Sequence, residues 1–105
     1  MSNQCYWVYI LHCENDTYYT GYTTDLAKRF ESHVNGTASK YTRSFKPIRI
    51  AQCWKINGEK FFAMQIERYI KKLTRSEKEK IINEPSLLFS DPRIEVYPEI
   101  STVYA

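Results

Sequence analysis

Apolar and polar positions alternate along the first third of the chain in two short runs and then change period. Trp7-Val8-Tyr9-Ile10-Leu11 is rich in aromatic and β-branched residues, and so is Tyr18-Tyr19-Thr20-Gly21-Tyr22. Between them lies Glu14-Asn15-Asp16, a set of turn formers, so the pattern predicts a β-hairpin. After it, Leu26, Phe30 and Val34 recur every four residues, as on one face of a helix, with Thr24 placed to cap its start. Gly36, in Asn35-Gly36-Thr37, suits the helix C-terminus. A basic loop with interleaved aromatics follows, from Lys40 to Lys46. Pro47 then opens a third strand, Ile48 to Ile56, in which Ile48, Ile50, Trp54 and Ile56 share one parity.

The second half returns to helical spacing. Asn57-Gly58 is a turn, and Glu59 to Leu73 carries an apolar stripe of Phe62, Ile66, Ile70 and Leu73. Thr74 and Glu77 form a capping box for a last helix, which Pro85 closes. The alternation Ile94-Glu95-Val96-Tyr97 predicts an added edge strand in the tail. The expected fold is therefore α+β, a small three-stranded antiparallel sheet flanked by about three helices. Residues 1–84 make the domain and 85–105 a C-terminal tail.

Bulk properties narrow the class. A chain of 105 residues with 43% hydrophobic and 26% charged residues is one ordinary globular domain. No apolar run approaches the roughly 18 residues that span a bilayer, and the N-terminus lacks a secretory h-region. Cys5, Cys13 and Cys53 have no CxxC spacing, so neither a disulfide framework nor a zinc site is indicated. A cytoplasmic monomer, away from membranes, is the expectation. Net charge is +3, but the charges from Glu84 onward sum to −3, which leaves +6 on the first 83 residues. Lys40, Arg43 and Lys46, then Lys71 and Lys72, cluster in that part. Such clusters neutralise backbone phosphates, although a solubilising surface looks the same. Tyr41 and Phe45 could stack on bases or cover the core edge.

The spacing of polar residues carries the sharper chemistry. Tyr9, Tyr19 and Arg29 are ten positions apart in turn, and His33 lies one helical turn beyond Arg29. Equal parity puts both tyrosines on one face of the hairpin, and Arg29 and His33 share a helix face. Two phenols, a guanidinium and an imidazole can converge there; taken singly, each is also ordinary strand or solvated helix surface. Glu67 lies beside the apolar stripe of its helix, where an ion pair with Lys71 would be worth only ~0.3–0.5 kcal/mol.

These residues resemble the GIY-YIG nuclease family, in particular its small stand-alone bacterial branch. Trp7-Val8-Tyr9 stands for the first triplet and Tyr19-Thr20-Gly21 for the second, with Arg29 and His33 following and Ala63-Met64-Gln65-Ile66-Glu67 matching the family's metal-binding helix. The first Gly is Trp7 here and the second Ile is Thr20. The resemblance covers Tyr6 to Asn83. It implies an endonuclease that hydrolyses DNA phosphodiester bonds, structure-specific and related to repair or recombination, with Tyr9, Tyr19, Arg29, His33 and Glu67 as the catalytic set. Glu67 would hold one divalent cation, Mg²⁺ or Mn²⁺, bound weakly without substrate, because one carboxylate makes no cage. Arg29 would bind the scissile phosphate, and Tyr9 or Tyr19 would orient or deprotonate the water. Lys40, Tyr41, Arg43, Lys46, Lys71 and Lys72 would meet DNA. Many members carry an Asn after the metal-binding helix, and Asn83 is the residue in that region. Two other readings stay open: a nucleic-acid-binding module with vestigial catalysis, and a protein-interaction domain.

Overall fold

The computed structural model describes residues 5–96. Strands β1 (Tyr6–Cys13) and β2 (Tyr18–Thr23) form the expected hairpin, followed by helices α1 (Leu26–Val34) and α2 (Lys40–Ser44). Then come β3 (Pro47–Ile56), α3 (Lys60–Lys71), α4 (Arg75–Asn83), a 3₁₀ turn over Pro85–Leu87, and β4 (Ile94–Val96). Among the described residues the sheet has four strands rather than three, antiparallel throughout, in the order β2-β1-β3-β4. The added strand is the tail's alternating segment, which pairs with the second half of β3. Its predicted last member, Tyr97, lies outside the described residues. Among the described residues, four α-helices stand where about three were expected.

Both faces of the sheet are covered, because apolar side chains leave β1 in both directions. Val8 and Ile10 join Trp54, Ile56, Ala63, Ile66, Ile70 and Ile81 in one core, so α3 and α4 lie on that face. Tyr9, Leu11 and Cys13 join Ile50, Cys53 and Leu26 in the other, with Phe30 against them, so α1 lies opposite. Each large side chain buried here contributes about 1.5–3 kcal/mol. The segment after α4 packs on the first core through Leu88, while Trp54 Nε1 donates to the Pro85 carbonyl at 2.9 Å.

Four local readings change. The N-cap of α1 is Asp25, whose carboxylate accepts from Lys28 N–H at 3.1 Å; Thr24 is one place too early. The inward stripe of α1 is buried Leu26 and His33 with half-buried Phe30 between them, at i, i+7 and i+4, while Val34 is 39% exposed. The expected basic loop contains a short helix, α2, whose N-cap Ser39 accepts from Thr42 N–H at 3.1 Å. In β3, equal parity does not mean equal face: Ile50 faces the α1 side, Trp54 and Ile56 face α3, and Ile48 is 53% exposed. Two register shifts cause this: His12 pairs with Arg49 but Cys13 with Pro47, which leaves Ile48 extra, and a second lies further along β3. Ile10 pairs with Gln52 but Leu11 with Ile50, so Ala51 is an extra residue and the alternation restarts after it.

Candidate active site

Strand β2 is a sheet edge, and its position explains how a site forms. Helices on opposite faces of a sheet cannot normally share a pocket, but past an edge strand both can project into the same space. Here α1 sends Arg29 and α3 sends Glu67 and Lys60 past β2 into one hollow of about 410 Å³. Tyr19, Gly21, Tyr22 and Thr23 of β2 form the floor, with Tyr6 and Thr24 at the margins. Arg29 and Glu67, 38 positions apart in the chain, thus line one cavity with Tyr19.

Tyr9 sits just behind that wall. It pairs with Gly21 across the hairpin, and a Cβ on Gly21 would come within 2.5 Å of the Tyr9 hydroxyl oxygen. Only glycine allows the ring to lie over β2 at that point. Tyr9 is 1% exposed, and its hydroxyl meets His33 Nε2 at 2.8 Å. Burial pushes the phenol up to about 12, and the Arg29 guanidinium beside it does not reverse the shift. Tyr9 is therefore a neutral phenol at physiological pH. Tyr19 shares its face but reaches the hollow itself, and its ring meets His33 edge-on at 5.2 Å between centroids.

His33 lies inside the molecule rather than on a solvated helix face. Its burial, then the positive charge of Arg29, pushes the imidazole down to about 4, so it is neutral at pH 7. Its Nδ1 lies 2.7 Å from the Thr42 hydroxyl, on α2.

Glu67 is 17% exposed in its side chain, and Lys71 lies 3.6 Å from its carboxylate, so the helix-surface pair is present beside the hollow. Lys71 is itself half exposed and able to swing away. An oxygen donor on the wall of an open cavity suits a hard divalent cation. Among the described residues no group of three His, Cys, Asp or Glu side chains is arranged to hold one. The donor set thus fits an ion whose remaining ligands are phosphate oxygens and water.

The residues assigned to nucleic acid are spread wider. Lys40, Tyr41 and Arg43 sit exposed on or beside α2, and Lys72 is exposed at the end of α3. Tyr41 stacks on Tyr19 at 5.9 Å between centroids and tilts against Phe45 at 5.3 Å, so it continues the aromatic wall outward from the site. Lys46 donates to the Val34 carbonyl at 2.9 Å, which ties it to the end of α1. Asn83 is the exposed last residue of α4 and does not line the hollow. The structure adds Lys60, Thr42 and Ser39 to the neighbourhood. Lys60 had a readable signal, since it stands two helical turns before Glu67 on the same helix.

The family model described as the GIY-YIG catalytic domain matches residues 5–80. A UPF0213 protein of Bacillus licheniformis is 38% identical over 86 residues, covering 80% of this chain and 86% of its own. One from Clostridium perfringens is 41% identical over 81 residues, covering 77% and 86%. Among solved structures, the solution NMR structure of a UPF0213 protein from Bacillus halodurans is 38% identical, with a TM-score of 0.50 over 76% of this chain and 84% of that one.

Proposed function

The chain belongs to the GIY-YIG nuclease family, and from that premise we propose that it is a metal-dependent endonuclease hydrolysing phosphodiester bonds in DNA. Branched, nicked or single-stranded DNA is the substrate class, because one small domain without a recognition helix has little means of reading base sequence. Such substrates fit work in repair or recombination. The observation that supports this best is the shared hollow: a guanidinium, a phenol and a lone carboxylate reach one cavity from three separate elements.

Hydrolysis needs an oriented water, charge stabilisation on the phosphoryl oxygens and help for the leaving oxygen. Arg29 takes the scissile phosphate, where its planar donors can hold two oxygens at once. Tyr19, on the cavity wall, orients the attacking water through its phenol oxygen. Tyr9 and His33 stand behind and position Arg29 and Tyr19. Glu67 holds Mg²⁺ or Mn²⁺, which when bound supplies Lewis acidity toward a phosphoryl oxygen. Lys60, on the rim, adds a second positive charge for an adjacent phosphate.

The test is a panel of flap, junction, nicked and linear DNAs incubated with the protein, with and without Mn²⁺. Glu67→Gln should lose cleavage by about a thousandfold or more, since a metal contributes several kcal/mol of charge stabilisation. Its salt-sensitive DNA binding should stay near that of the wild type. Undiminished cleavage by the variant overturns the proposed role of Glu67. A wild type that binds DNA but never cuts it is the vestigial binding module, and one that does neither at low salt is the interaction domain.

A further inference from the structure

A line of polar side chains leads away from the hollow into the protein. The Tyr9 hydroxyl meets His33 Nε2 at 2.8 Å, and His33 Nδ1 meets Thr42 Oγ1 at 2.7 Å. Thr42 Oγ1 in turn lies 2.8 Å from Ser39 Oγ. Thr42 is fully buried, and so is its side of the imidazole. A five-residue helix, α2, exists where a loop was expected, and its N-cap residue is the same Ser39. The cap therefore fixes the backbone segment that brings a hydroxyl to His33 Nδ1.

We propose that Thr42 is a positioning residue for the active site: it accepts a hydrogen bond from His33 Nδ1–H, which leaves Nε2 to accept from Tyr9 and turns the Tyr9 oxygen lone pair toward Arg29.

The direction of the chain follows from counting protons. A neutral imidazole carries one N–H, so one ring nitrogen donates and the other accepts. If Nε2–H donated to Tyr9, the buried phenol proton would lose its acceptor and would sit close to the positive charge of Arg29. Two donors would then oppose each other beside the hollow. With the phenol proton on the His33 side, every buried group is satisfied: Tyr9 donates to Nε2, Nδ1–H to Thr42, and the Thr42 hydroxyl to the half-buried Ser39 Oγ. Ser39 Oγ also accepts Thr42 N–H at 3.1 Å, which uses its second lone pair. The Tyr9 oxygen then offers a lone pair rather than a proton to the nearby positive charge of Arg29. What Arg29 does in the hollow rests on the nuclease reading; the tautomer does not.

The experiment has two readouts. Nitrogen-15 spectra of the imidazoles report which ring nitrogen carries the proton, and with only two histidines in the chain, His12→Gln assigns the signals. His33 should show a protonated Nδ1 and a bare Nε2 in the wild type and in Thr42→Ser. Thr42→Val keeps the shape but removes the acceptor, so it should shift the ring toward Nε2–H. Its kcat for DNA cleavage should fall about ten- to a hundredfold, the usual effect of losing a partner that orients a site residue, with KM nearly unchanged. Thr42→Ser should restore most of that rate. An Nε2–H ring in the wild type overturns the proposal, as does a valine variant with normal kcat or a serine variant as impaired as valine. If the valine variant does not fold, the wild-type and serine tautomers decide. If the wild type cleaves no DNA, the nuclease reading falls while the tautomer comparison still decides for or against Thr42.

Discussion

At the scale of single residues, the site is ordered by burial rather than by exposure. The sequence spacing picks out Tyr9, Tyr19, Arg29 and His33 as a set, but it treats them as equals. The structure separates them: Tyr9 and His33 are each 1% exposed, while Tyr19 and Arg29 line the cavity. His33 was readable as spaced but not as buried, because Val34 offers a better apolar match to Leu26 and Phe30. The helix turns so that the i+7 position, His33, takes the inner place. This has a consequence for stability. His33 has its pKa pushed down to about 4 from 6.5. Between those values the unfolded chain takes up a proton that the folded protein refuses, so stability falls as pH drops through the unfolded value and levels off near the folded one. The loss from pH 7 to pH 5 should be about 2 kcal/mol. Urea unfolding at the two pH values should show it in the wild type and not in His33→Gln; equal losses in both would count against a buried neutral imidazole.

At the scale of elements, most starts and stops were legible because they depend on local chemistry. The Thr74–Glu77 capping box is present as read, with both reciprocal bonds made. Gly36 ends α1 as expected, at φ +80°. Its N–H bonds the His33 carbonyl and Thr37 N–H bonds that of Ser32, which is a Schellman closure. Features that depend on tertiary pairing were hidden. The extra residue Ala51 breaks the parity of β3, yet nothing about an alanine in an apolar run announces a bulge. Helix α2 spans too few residues for any period to show, and only its Ser39 cap is a local signal. The Gly36 closure matters to the site because the chain must reverse there to bring Thr42 back to His33. An alanine at that φ should cost about 1–2 kcal/mol. The nearest obstacle to its Cβ is the Arg43 side chain at 3.2 Å, which is exposed and able to move. Backbone strain should therefore dominate over crowding. Gly36→Asn, larger but tolerant of the left-handed region, should be less destabilised than Gly36→Ala in denaturant midpoint. The opposite order would assign the effect to the contact with Arg43.

For the whole molecule, what decides the partner is where charge lies relative to the open sheet edge. Neither half of the chain builds the hollow alone: the hairpin and α1 supply the phenols and the guanidinium, and α3 supplies the carboxylate and Lys60. Alongside it, Tyr19 and Tyr41 stack outward onto α2, where Lys40 and Arg43 are exposed. An apolar strip bordered by cations suits a nucleic-acid strand, with bases on the rings and phosphates on the charges. The competing reading, a solvated basic surface, places the same charges but gives them no phosphate to meet. Salt dependence separates the two. Each phosphate neutralised contributes about −0.7 to −0.9 to the slope of log affinity against log salt. Replacing Lys40 and Arg43 together with alanine should weaken DNA binding and flatten that slope by about 1.4 to 1.8. Neither residue lines the hollow, so the cleavage rate at saturating DNA should hardly change. If the slope stays the same, α2 lies away from the DNA path, and the strand must instead enter past Lys60 and the start of α3.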